Sequence, residues 1–136
     1  MVEMTITYEG DLHCAIKHGP SGVVLATDAP LDNQGRGESF SPTDLLAASL
    51  AACMATTMGI AAAKNSWELK GTRIVIKKEM IADPLRRVGR LVVDIFLNVA
   101  YDDKEMKVLT NAVTTCPVKL SISDHILVPV TFHQPA

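Results

Sequence analysis

The sequence predicts an α+β fold of mostly antiparallel sheets wrapped around one long central helix. Three observations carry this. Short alternating apolar segments occur in three separate groups along the chain. An uncharged run from Leu45 to Ala63 is preceded by helix-start residues. The resulting order of strands, helix, strands, helix, strand lacks the βα alternation of a parallel sheet. At 136 residues the chain is expected to form one domain, residues 1–136, large enough to bury a core.

Met4 to Tyr8, Cys14 to Lys17 and Val23 to Thr27 read as three short strands. The turn residues Glu9-Gly10-Asp11 and Gly19-Pro20-Ser21-Gly22 join them into a meander. Residues 28–40 hold Pro30, Asn33, Gly35 and Gly37 and read as a loop, long enough to invite a functional role. Ser41-Pro42-Thr43-Asp44 then opens a helix, with Ser41 as N-cap, Pro42 at the first helical position and Asp44 closing a capping box. That helix is expected to run to Lys64, with Leu46, Ser49, Leu50, Cys53, Thr56, Thr57 and Ile60 at helical spacing. Its other face is nearly as apolar, so it is expected to be surrounded by protein.

Thr72 to Ile81 and Arg90 to Ala100 read as two longer strands, joined through the turn Ala82-Asp83-Pro84. In the second of them Leu91, Val93, Ile95, Leu97 and Val99 share one face. A second helix is expected over Asp103 to Thr114, with Met106, Leu109, Thr110 and Val113 inward. Pro117 restarts the chain as a short helix to Ser123 with Cys116 as its N-cap. Ile126 to His133 is a last strand, in which Pro129 requires an edge or a bulge.

A net charge of −2 and no basic stripe argue against nucleic acid as a partner. The run Leu45 to Ala63 has the length of a membrane span, but it is rich in Ala, Ser and Thr and reads as a buried helix. Met1 to Glu9 lacks the basic region and apolar run of a secretory leader. Three cysteines do not make a disulfide framework, and the expected location is the cytoplasm. No zinc-type spacing is present, and neither a metal nor a cofactor is expected.

Cys53 and Cys116 are the candidate reactive residues. A sulfur at the N-cap position of Cys116 faces free N–H groups, which favour a thiolate. Cys53 sits mid-helix and gains no such benefit. It needs a cation from elsewhere, and Arg36 in Gln34-Gly35-Arg36-Gly37 is the candidate, its flanking glycines allowing close approach. If the two sulfurs meet, the chain is a dithiol redox device. If they do not, it is a small domain with buried cysteines.

Ser41-Pro42-Thr43-Asp44-Leu45-Leu46-Ala47-Ala48-Ser49-Leu50-Ala51-Ala52-Cys53 and Thr115-Cys116-Pro117-Val118 resemble the two cysteine motifs of the OsmC/Ohr family of osmotically inducible and organic hydroperoxide resistance proteins. The resemblance covers essentially the whole chain. It implies an intertwined homodimer and a thiol peroxidase for organic hydroperoxides. Cys53 would attack the peroxide, Cys116 would resolve the sulfenic acid as a disulfide, and a small dithiol would restore both. It also implies an arginine beside the thiolate, here Arg36, held by a glutamate. Thr43 occupies that glutamate's position, and Asp44 lies about 900° around the helix from Cys53. The alternative reading is an OsmC-like protein without peroxidase activity that binds a small apolar ligand at the dimer interface.

Overall fold

The computed structural model describes residues 1–136 and divides the chain into two compact units, Met1–Leu46 and Ala47–Ala136. The first is a three-stranded antiparallel meander in the order β1 (Met4–Tyr8), β2 (His13–His18) and β3 (Val24–Asp28). Its register pairs Ile6 with Ile16 and Ala15 with Ala26. The turn before β2 closes through the Glu9 N–H to the His13 carbonyl (2.9 Å), with Gly10 at a φ of 86°. The loop after β3 contains a short 3₁₀ turn, Leu31–Asn33. It is closed at its base by the Asp28 N–H donating to the Phe40 carbonyl (3.0 Å), the form of a compact Ω-loop.

Helix α1 spans Pro42–Lys64 as expected. Ser41 Oγ accepts from the Asp44 N–H (3.0 Å) and Asp44 Oδ2 accepts from the Ser41 N–H (2.9 Å), so the capping box is reciprocal.

In the second unit the sheet order is β4 (Arg73–Ile81), β5 (Arg87–Phe96) and β6 (Val130–His133). β4 and β5 are antiparallel, whereas β5 and β6 are parallel. A parallel neighbour needs a long connection, and α2 (Asp103–Thr114) and α3 (Pro117–Ser121) lie in it. Leu91, Val93 and Ile95 of β5 form the buried face that alternation marked, and Leu109 and Val113 of α2 are buried as well. A reciprocal box of Asp102 and Glu105 caps α2.

Several expectations are corrected. β5 ends at Phe96 rather than Ala100: Asn98 turns its N–H to Thr72 Oγ1 and its amide to the Glu68 carbonyl, and Val99 is left exposed. β6 begins at Val130 rather than Ile126, because Pro129 has no N–H for a ladder. α3 stops at Ser121.

The buried face of α1 is Ala47, Leu50, Met54, Met58 and Ala62, whereas Ser49, Thr56 and Ile60 are exposed on the chain. An all-apolar helix carries no periodic signal to choose its inner face. Thr110 of α2 likewise faces outward, one position past buried Leu109. By length and composition α1 could cross a membrane. Its buried residues make it a core helix instead.

Candidate functional site

The chain brings Cys53 and Cys116 together at the start of α3, and α3 is built to receive them. Pro117 holds the first helical position and has no N–H to place. The next two backbone donors are orphaned by the helix start, and each goes to a sulfur. The Lys119 N–H donates to Cys116 Sγ at 3.4 Å, the N-cap bond the sequence foretold. The Val118 N–H donates to Cys53 Sγ at 3.5 Å. The two sulfurs thus take successive backbone donors of one helical turn, close enough to influence one another electrostatically, and both are free thiols.

Their environments differ. Cys116 is 0% exposed, whereas Cys53 is only part-buried. Burial pushes the Cys116 thiol above its usual range. The bond from Lys119 and the Val118 N–H pull it down, while Cys53 raises it further through a hydrogen bond and its charge. The net direction is upward, which corrects the expected thiolate at Cys116. The N-cap geometry is present, but loss of water outweighs two weak donors.

The consequence for stability has a definite sign. A thiol whose folded pKa is raised ionises first in the unfolded chain, which then holds fewer protons. The contribution of Cys116 is therefore complete below about pH 8.5 and is lost as pH rises toward the folded value. Urea midpoints should fall over that window, and Cys116→Ser should flatten the fall. An equal fall in the variant would refute the assignment.

In the first unit, Arg36 follows Gln34, which is left-handed at a φ of 64°. Gly35 is needed there because a Cβ would lie 1.8 Å from the Ala29 carbonyl oxygen. Sequence reasoning missed the partner of this loop. Asp28, 2% exposed, hydrogen-bonds His13 Nδ1 at 2.6 Å and lies 3.9 Å from Arg36 Nη2. Glu9 approaches the other ring nitrogen of His13 at 3.6 Å. The available signal was an acid closing the otherwise uncharged strand Val24-Leu25-Ala26-Thr27-Asp28. A buried carboxylate needs partners. Cys14 lies on β2, opposite Thr27 in the register. No group of three or more His, Cys, Asp or Glu is placed to hold a metal ion.

The chain is thus an α+β protein in which two free thiols meet at a helix start. A model of OsmC-like proteins matches residues 35–131, and the chain belongs to that family. It is similar to a protein of Psychrobacter arcticus 273-4 provisionally described as an osmotic stress induced and detoxification response protein. The two share 46% identity over 98% of this chain and 96% of that one, with a TM-score of 0.93. The fold is shared with an organic hydroperoxide resistance protein OsmC from Legionella pneumophila at 15% identity, covering 97% of this chain and 96% of that one, TM-score 0.79. It is shared too with the organic hydroperoxide resistance protein OhrB of Bacillus subtilis at 16% identity, covering 98% of each chain, TM-score 0.71. Among curated proteins none matches the chain.

Proposed function

We propose that this protein is a thiol peroxidase that reduces organic hydroperoxides with Cys53 and Cys116. The observation that carries the proposal is the meeting of the two free sulfurs on the first turn of α3. The more accessible Cys53 attacks as thiolate. Its S–O bond forms as the O–O bond breaks, and the alkoxide leaves and is protonated to the alcohol. The Val118 N–H points at the sulfur that carries the charge. Cys116 then attacks the sulfenic sulfur, forming the disulfide and releasing water. A small dithiol returns both thiols by exchange and is itself oxidised to a disulfide. Holding Cys116 as a neutral thiol beside Cys53 suits a resolving sulfur.

In this proposal Arg36 supplies the cation for the Cys53 thiolate; within its own unit, Asp28 and His13 steady the loop that carries it. The working form is a homodimer. Supporting this are apolar side chains that one chain leaves in water: Ile6, Tyr8 and Leu25 on the first sheet and Ile60, 53% exposed, on α1. Light scattering reads the mass as one chain or two, and a single-chain mass would remove this part. With three free cysteines and no disulfide, the assigned location is the cytoplasm.

One residue favours the alternative of a ligand-binding protein without turnover: Thr43, where the resemblance implies a glutamate. A thiol count separates the two. One equivalent of cumene hydroperoxide should remove two of the three thiols together. Arg36→Ala should slow this at least about tenfold without unfolding the protein. Unchanged thiols in the parent protein overturn the peroxidase and leave ligand binding; an unaltered rate in the variant removes Arg36 alone.

A further inference from the structure

Thr57 lies on α1 one turn beyond Cys53, and its hydroxyl does more than return to its own helix. Thr57 Oγ1 is 3.0 Å from the Cys53 carbonyl oxygen, 3.0 Å from that of Met54 and 3.0 Å from that of Ala112. The hydroxyl has one proton, which these three acceptors share; the first two contacts have the geometry of the ordinary back-bond of a helical threonine. The third crosses to α2. Ala112 stands in the last turn of α2, where carbonyls have run out of intrahelical N–H partners. Other hydroxyls serve that turn locally: Thr115 Oγ1 donates to the Asn111 carbonyl (2.6 Å) and Thr114 Oγ1 to the Thr110 carbonyl (3.1 Å). Thr57 reaches this turn from another element.

The placement ties together the two segments that carry the sulfurs. Cys53 presents its carbonyl to Thr57, and Ala112 leads within four residues to Cys116. We infer that Thr57 is a positioning residue: its hydroxyl fastens the Cys53 turn of α1 to the end of α2, setting the distance across which the Cys53–Cys116 disulfide closes. The inference rests on the dithiol reading of the site. A disulfide tolerates little error, since the Cα atoms must lie within about 7 Å with the Cβ vectors facing. A single cross-helix bond, with each end four residues from one of the cysteines, therefore bears on closure more than on the first attack, which needs Cys53 alone.

The test uses the full chain carrying Cys14→Ala, so that only the two thiols of interest remain. In one arm, one equivalent of cumene hydroperoxide is added with dimedone present. The sulfenic acid at Cys53 then either closes on Cys116 with loss of water or is trapped. In the other arm, glutathione disulfide accepts two electrons from the dithiol and leaves as two glutathione thiols, with no peroxide involved.

Thr57→Val should shift the first arm toward the trapped adduct by about fivefold, the factor a single neutral hydrogen bond supplies. It should lower the equilibrium yield of disulfide in the second arm by a similar factor, and leave the rate of the first oxidation unchanged. Thr57→Ser, which keeps the hydroxyl, should restore parental values, and Thr57→Ala replaces the valine variant if that chain does not fold. Parental closure in the valine or alanine variant, or failure of serine to restore it, overturns the inference. A parent inert to hydroperoxide whose glutathione arm still responds to Thr57 would overturn the peroxidase and leave the positioning role standing.

Discussion

Cys53→Ser protein should lose no thiol to hydroperoxide, whereas Cys116→Ser protein should lose one and stop there. The asymmetry follows from the two environments. Cys116 is wholly buried with its thiol held in the protonated form, so it has neither access to a peroxide nor the charge to attack one. Cys53 is part-buried. Without Cys53, the remaining Cys14 and Cys116 should react no faster than background. Without Cys116, the Cys53 sulfenic acid has no partner and accumulates as a species that dimedone traps as a single adduct. Excess hydroperoxide should then drive it to the irreversible sulfinic acid, which closure of the proposed disulfide should prevent in the parent. Mass spectrometry reads each state directly. Loss of Cys116 at the parental rate in Cys53→Ser would reverse the two roles.

Leu109→Ala should destabilise the protein by about 2–5 kcal/mol, and Thr110→Ala, one position on, by no more than about 0.5 kcal/mol. Leu109 is 0% exposed and Thr110 is exposed, although both satisfy the helical spacing of α2. Removing the leucine side chain deletes buried apolar surface and leaves a cavity, while the threonine leaves only solvent behind. Urea unfolding with an unchanged slope measures the two differences. Comparable losses at both positions would mean that α2 is rotated from the orientation described.

Much of this was legible in the chain. The start of α1 was readable because its capping is local: a serine, a proline and an aspartate within four positions make their own bonds. β5 was readable because period-two alternation from Leu91 to Leu97 matches a one-sided core. The N-cap position of Cys116 followed from Pro117 beside it. The inner face of α1 was not readable, since alanines and other uncharged residues lie on every side of the helix and offer no contrast. Nor was the end of β5, which depends on Asn98 finding Thr72 and Glu68, residues distant in sequence.

The chain by itself determined which segments become helix and strand and which two sulfurs stand where chemistry is plausible, because capping, alternation and proline placement act between near neighbours. Tertiary structure alone decided that those sulfurs meet, that Cys116 is kept as a thiol, and that Asp28 is buried against His13 and Arg36. The reason is physical: proximity and desolvation are properties of the packed chain, set by residues that come close only after folding.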